Sequence, residues 1–130
     1  MKKIVSSFFV FIIFQSSVFA IGTKSTMNKV MGSWEGESIN SVIEKWGYPS
    51  EEKTFLGRKL FYWTDNQFAC SSTQYGVYIG EEYCTRIFEI DDNNSVVKWQ
   101  WKGNNCPATY FTSKKWVNPK NNPWRPNNKL

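Results

Sequence analysis

The stretch CTRIFEIDDNNSVVKWQWK, residues 84–102, decides the fold. Two runs rich in β-branched and aromatic residues, Cys84–Ile90 and Val96–Lys102, lie on either side of a short polar segment. Runs of this kind around a turn of Asp, Asn and Ser are typical of a β-hairpin. The stretch therefore predicts two antiparallel strands that pair directly with each other.

The alternation of apolar and polar side chains predicts the register of this hairpin. Opposite residues in it have numbers that sum to 187. On one face we then expect three cross-strand pairs: Arg86–Trp101, Phe88–Trp99 and Ile90–Val97. The other face carries mostly polar residues, with Glu89 opposite Lys98. A shift by one residue would place both tryptophans among the charged side chains, so the sequence specifies this register well.

The same register favours one disulfide among the three cysteines. It places Cys84 opposite Gly103, three residues before Cys106. The Cα atoms of a cystine lie roughly 4.4–6.8 Å apart, a distance that the chain can reach by curling back after Gly103. We therefore expect a Cys84–Cys106 disulfide, with Cys70 left over. Closing this loop stabilises the fold by about 3 kcal/mol in the chain-entropy model.

Upstream of the hairpin, the sequence predicts helices and then further strands. Four apolar residues recur at the spacing of one helix face: Ile39, Val42, Ile43 and Trp46. Ser38 is a suitable N-cap for this helix, and Gly47 can end it. A shorter helix is predicted over Ser25–Met31. Strands are predicted at Thr54–Leu56 and Lys59–Thr64, on either side of a turn at Gly57-Arg58.

The segment Asp65–Glu82 is interpreted either as a mobile loop or as an extra edge strand. It carries more apolar and aromatic side chains than a solvated loop requires. Its candidate partner-binding residues are Phe68, Tyr75, Tyr78 and Ile79. Tyrosine-rich loops are common contact surfaces because the ring supplies area and the hydroxyl supplies a hydrogen bond. The alternative is that these side chains fold back and complete the core.

The first twenty residues are typical of a signal peptide. Lys2 and Lys3 precede a mostly apolar stretch, which ends in the small residue Ala20. We expect cleavage before Ile21 and a periplasmic or secreted protein that is soluble after cleavage. No lipid anchor is expected, because no cysteine lies at the cleavage site.

The C-terminal residues 113–130 are basic and rich in Asn and Pro. They hold five cations and no acid, whereas the body from residue 21 to 112 has a net charge of −2 and the whole chain one of +5. We expect a flexible tail. The alternative is a basic arm that makes weak contact with an anionic membrane surface. Nucleic acid is not an expected partner, because the positive balance lies in the tail rather than on a folded face.

The composition excludes several kinds of catalytic site. The chain has no histidine, which rules out a Ser-His-Asp triad, a Cys-His dyad and a metal site with histidine ligands. Its paired acids, such as Glu81-Glu82 and Asp91-Asp92, are interpreted as solvated turn residues. No catalytic residue, metal or cofactor is therefore expected. The alternative is a small secreted hydrolase with a carboxylate pair, or a ligand-binding protein with a groove of aromatic residues: Trp34, Trp46, Trp63, Trp99 and Trp101.

Part of the chain resembles a family of small exported bacterial proteins. The stretches Ser33–Ser38, Val42-Ile43 and Trp46–Pro49, with the later Cys84…Cys106 interval, resemble the SmpA/OmlA (BamE-like) family. The resemblance implies an α+β fold, with two N-terminal helices packed on a small antiparallel β-sheet over residues 21–112. The chain departs from the family in the segment Asp65–Glu82 and in the basic C-terminal tail, which its composition predicts to be disordered. It also implies a non-catalytic protein-interaction module, with a protein partner in the cell envelope.

Overall fold

The computed structural model of the protein describes residues 22–125. It contains three helices and four strands, in this order: α1 (Thr23–Gly32), α2 (Ile39–Trp46), β1 (Glu51–Phe55), β2 (Arg58–Thr73), β3 (Gly76–Ile90), β4 (Val96–Gly103) and α3 (Tyr110–Ser113). The strands form one antiparallel sheet in the order β1-β2-β3-β4. The expected signal peptide, residues 1–20, lies outside the described residues. Across residues 22–125, no helix is both long and apolar enough to cross a membrane.

Helix α2 begins and ends where the sequence predicts. The Ser38 side chain accepts a hydrogen bond from the Asn40 backbone N–H at 3.3 Å. At the other end, Gly47 has a φ of +83°, a conformation that costs glycine little, and its N–H donates to the Ile43 carbonyl at 2.8 Å. The apolar face of α2 lies against the sheet, where Val42 is fully buried.

The predicted register of the β3–β4 hairpin is confirmed for every pair from Cys84–Gly103 to Glu89–Lys98. The predicted Ile90–Val97 pair is wrong, because a bulge after Glu89 pairs Ile90 with Val96 instead. The turn explains the shift. The Asp91 carboxylate accepts from the N–H groups of Asn93 and Ser95, both at 2.9 Å, and Asn94 has a φ of +59°. This tight turn directs Val96 into the core and leaves Val97 exposed.

The turn between β1 and β2 lies one residue earlier than predicted. Phe55 pairs with Arg58, so the two turn residues are Leu56 and Gly57 rather than Gly57 and Arg58. Both have positive φ values, +50° and +76°. Two-residue hairpin turns favour this backbone because its twist matches that of the strands.

The fold class predicted from the sequence is wrong in its sheet. The prediction was two helices on a small antiparallel sheet, whereas the four strands together hold 44 residues. The excess comes from β2 and β3, which are 16 and 15 residues long, against a usual length of about 5–6. The segment Asp65–Glu82 is not a mobile loop and does not add a separate strand, because its residues extend the two central strands as far as a turn at residues 74–75.

The predicted disordered tail is also wrong for the residues that the structure describes. Helix α3 follows the sheet, and after it Trp116 and Val117 are buried against Val30 of α1. Asn118 donates hydrogen bonds from its backbone and side chain to Ser33, both at 3.1 Å. The prolines and charges of this segment exclude a long helix, but they do not prevent two apolar side chains from docking on α1.

Candidate functional site

Beyond the body of the sheet, β2 and β3 form a projecting hairpin arm, which we define as residues 66–82. Strand β1 pairs with β2 only as far as Tyr62, and β4 pairs with β3 only as far as Cys84. The β2–β3 ladder continues without them to the Thr73–Gly76 pair. Eight residues of strand span roughly 27 Å at about 3.4 Å per residue. Among the described strands, those of the arm pair only with each other.

The apolar side chains of the arm share one face. Side chains alternate along a strand, so the register places Phe68, Val77 and Ile79 on the face that continues Ile87, away from the helices. We call these three residues the outer stripe. Phe68 is 83% exposed and Ile79 is 71% exposed. Isolated exposed apolar residues are ordinary, but a row of them on a projecting element is typical of a contact surface.

The four predicted partner-binding residues are all exposed, but they do not form one surface. Phe68 and Ile79 belong to the outer stripe. Tyr78 lies on the opposite face of the arm, where its ring covers Gly80 so closely that a Cβ at that glycine would overlap it. Tyr75 lies in the turn at the tip. The alternative, that these residues complete the core, is therefore wrong.

The edges of the arm lack the usual protection against another strand. The fifteen residues from Asn66 to Gly80 include no charged residue and no proline. Exposed edge strands in natural proteins usually carry lysine, proline or a bulge, because their free N–H and C=O groups otherwise pair with a further strand. The Thr64 N–H, at the base of this edge, donates to the Ser50 hydroxyl at 3.0 Å. The arm therefore offers both a strand edge and an apolar stripe to a partner.

A disulfide fixes the base of the arm. Cys84 and Cys106 are joined, with their Cα atoms 4.9 Å apart, as the hairpin register predicts. Beside this bond, the Asn104 side chain accepts from the Tyr83 N–H at 2.8 Å and donates to the Glu81 carbonyl at 3.1 Å. The exposed Cys70 lies in the arm and forms no disulfide among the described residues. The arm therefore begins at a point where β3 is held firmly.

A groove of about 450 Å³ lies on the helix-side face of the arm's base. One wall comes from the start of the arm, and the other comes from the chain that follows the disulfide. The lining includes the charged residues Asp65, Glu82, Arg86 and Lys115, the Trp116 ring, and the apolar residues Pro107 and Ala108. A concave site of this size is large enough for a small molecule.

The side chain at the bottom of this groove is the buried Arg86, which is only 1% exposed. Its guanidinium stacks on Trp116, with Cζ 3.5 Å from the ring centroid, and its Nη2 donates to the Asp65 carboxylate at 2.6 Å. The Arg86 Nε is buried and has no hydrogen-bond partner within residues 22–125. Burial lowers the pKa of Arg86, while the hydrogen bond and charge of Asp65 act in the opposite direction.

Sequence reasoning placed Arg86 on the apolar face of the hairpin but did not ask what neutralises it there. The structure gives the answer in two parts. Asp65 lies diagonally across the ladder, since Arg86 pairs with Trp63 and Asp65 pairs with Cys84. Trp116 comes from the segment that was interpreted as a tail. A cation at an apolar position of a strand was the signal that could have led to this site.

The aromatic groove considered from the sequence does not form. Trp34 and Trp63 are buried in the core, on either side of Trp46. The Trp34 and Trp63 rings meet Trp46 edge to face, with centroids 5.6 and 5.5 Å from it. These three tryptophans are packing residues, and Trp99 and Trp101 are partly buried against the same core. Residues 22–125 also include no group of three or more Cys, Asp or Glu side chains that could hold a metal ion.

Comparisons with known proteins do not assign a family. No protein-family model, no characterised protein and no solved structure matches the chain. The resemblance to the SmpA/OmlA family stays a prediction from the residues quoted above. The function has to be inferred from the hairpin arm and from the groove at its base.

Proposed function

We propose that the protein is a non-catalytic interaction module of the periplasm or of the secreted fraction, and that it binds a protein partner of the cell envelope through the hairpin arm. The observation that carries this proposal is the arm itself. It projects beyond the sheet, it has no charged residue from Asn66 to Gly80, and its outer stripe is exposed.

The arm supplies two kinds of binding free energy. Burying a large apolar side chain that was exposed contributes about 1.5–3 kcal/mol, and Phe68 and Ile79 are available for this. A partner strand that adds to the open edge gains backbone hydrogen bonds, as in other cases of strand addition. An extended, apolar segment of a partner protein uses both, because its alternate side chains can cover the outer stripe while its backbone pairs with the edge.

The anchoring of the arm favours this role. The Cys84–Cys106 disulfide and the two Asn104 hydrogen bonds hold the base of β3. A surface that is ordered before binding loses less conformational entropy when it binds. The arm therefore combines a fixed base with side chains that the core does not use.

The proposed location rests on two observations. Residues 1–20 have the charge and hydropathy pattern of a signal peptide, and a structural disulfide is typical of an oxidising compartment. Exposed cations of residues 113–125, such as Lys114 and Lys120, could add a weak contact with an anionic membrane surface.

The experiment compares Phe68→Ser with Phe111→Ser in crosslinking capture from envelope extracts. The two phenylalanines are matched, since they are 83% and 86% exposed, but only Phe68 belongs to the arm. We expect Phe68→Ser and Ile79→Ser to lose the captured partner with unchanged melting temperature, and Phe111→Ser to retain it. Equal capture by all variants, or a large fall in melting temperature with Phe68→Ser, would contradict the proposal.

A further inference from the structure

Two cations share one aromatic ring in the groove at the base of the arm. Arg86 Cζ lies 3.5 Å and Lys115 Nζ lies 4.2 Å from the centroid of the Trp116 ring. The two distances add to 7.7 Å, which is the largest separation that Arg86 Cζ and Lys115 Nζ can have. Both residues line the groove. Two positive charges on the lining lower the electrostatic energy of an anion that binds in the groove.

The carboxylates of the groove leave one of these cations without a partner. Asp65 pairs with Arg86, whereas Lys115 forms no ion pair among the described residues. Glu82 is occupied at its Oε2, which accepts from the Gln67 amide at 3.0 Å and from the Asn105 amide at 2.8 Å. The end of the groove beside Trp116 is therefore positive, and the Glu82 end is negative.

We propose that this groove binds a small organic carboxylate, with its charged group at the positive end of the groove, where Lys115 and Arg86 line it, and its apolar part against Pro107 and Ala108. The buried Arg86 Nε, which has no partner within residues 22–125, supports this assignment. Buried donors are nearly always paired, and an oxygen that enters beside Arg86 supplies an acceptor. The site is separate from the outer stripe, which lies on the opposite face of the arm.

The charge balance favours a carboxylate over a phosphate. The groove is lined by two cations and two carboxylates, so a ligand with a single negative charge meets less repulsion from Asp65 and Glu82 than a doubly charged one. The planar guanidinium also matches a carboxylate in geometry. Pro107, Ala108 and the disulfide of Cys106 add apolar surface beside the charged end.

The test is a two-dimensional NMR titration of the purified disulfide-bonded protein, followed at the indole and backbone N–H groups. The probes are butyrate, its uncharged isostere butyramide, inorganic phosphate, and acetyl-Ala-Ala with a free or an amidated carboxyl group. We expect saturable shifts at Trp116 with butyrate, none with butyramide, and weaker binding of phosphate. Tighter binding of the free peptide than of butyrate identifies a peptide terminus as the source of the carboxylate, and the reverse order identifies a free acid.

A matched pair of lysine variants shows whether the shifts arise in the groove. Lys115→Gln removes a cation that lines it, whereas Lys114→Gln removes an exposed neighbour that does not. We expect the dissociation constant for butyrate to rise at least tenfold in Lys115→Gln and to stay within twofold in Lys114→Gln. The proposal is overturned if butyrate and butyramide shift the same signals, if phosphate binds as tightly as butyrate, or if Lys115→Gln binds like the unchanged protein. None of these results alters the outer stripe, so they leave the partner proposal to its own test.

Discussion

The two halves of the β2–β3 ladder share one register, but only the half inside the sheet buries a face against the core. In the half inside the sheet, the helix-side face carries Phe61, Trp63 and Phe88 and packs on the core. In the arm, the helix-side face carries Gln67, Ala69, Ser71 and Tyr78, whereas the aliphatic and phenylalanine side chains of the outer stripe lie on the other face. The polarity of the ladder therefore reverses at its midpoint. Strand pairing continues where core packing stops, and the reversal leaves an apolar surface that no described element covers.

The largest loss of stability is expected when a core side chain is removed from the inner half of the ladder. Phe88→Ala removes a fully buried ring that packs on Trp46 and Trp63. We expect the free energy of unfolding to fall by about 3–5 kcal/mol, because the transfer term and the cavity term add. Urea denaturation measures it. Phe68→Ala, in the arm, is the matched control and changes stability by about 0.5 kcal/mol or less. Equal losses in the two variants would show that the arm belongs to the core.

The second-largest loss of stability is expected when the disulfide at the boundary of the two halves is removed. Replacing Cys84 and Cys106 by alanine opens a loop with a sequence separation of 22 residues. We expect a loss of about 3 kcal/mol in the free energy of unfolding. Addition of a reductant should destabilise the unchanged protein by a similar amount and leave the double variant unaffected. Cys70→Ala is the control, and a comparable loss there would mean that Cys70 has a structural role.

A smaller effect is expected from the ion pair that spans the boundary. Asp65→Asn leaves the buried Arg86 without its carboxylate. The Asp65 side chain is itself largely exposed, so we expect a loss of about 1–2 kcal/mol rather than that of a fully buried pair. The control is Asp92→Asn, which removes an exposed acid outside any ion pair among the described residues. The measurement is the melting temperature of each variant. Equal melting temperatures for the two variants would contradict the role given to Asp65.

The smallest effect on global stability is expected from the arm. Ile79→Ser should change the free energy of unfolding by about 0.5 kcal/mol or less, since exposed sites rarely contribute more. Hydrogen exchange followed by mass spectrometry sharpens the comparison. Amides of the arm should exchange well before those of the inner ladder, because few buried contacts protect them. Equal protection of both halves in the isolated protein would contradict this difference between the arm and the inner ladder.

Local patterns predicted the parts of the fold that depend on neighbouring residues. The cap at Ser38 and the end of α2 at Gly47 depend on side chains within one or two helical turns. The pairing of Cys84 with Gly103 follows from the alternation along the two strands of one hairpin. The bulge at Ile90 was missed because it depends on how Asp91 folds the turn. The bulge makes Val96 rather than Val97 the buried partner of Ile90, and it leaves the pairs from Glu89–Lys98 to Cys84–Gly103 as predicted.

The candidate site was predicted only in part, for a different physical reason. The exposed arm residues Phe68 and Ile79 were found because they were apolar in a segment that had no place in the core. The groove was missed because Trp116 docks through contacts with residues far away in the sequence. Composition predicted a solvated tail there, since prolines and lysines outnumber the two apolar side chains that decide where it packs.

The docking of Trp116 also determines the order in which the molecule can fold. Its carbonyl accepts the indole N–H groups of Trp34 at 2.8 Å and Trp46 at 3.1 Å, across sequence separations of 82 and 70 residues. Contacts between such distant residues form late, because the intervening loop must be closed first. The helices near the beginning of the chain are thus completed by a segment that leaves the ribosome long after them. A nascent chain that lacks Trp116 leaves both indole N–H groups without this acceptor, so the packing of these two tryptophans is completed only after residue 116 has been synthesised.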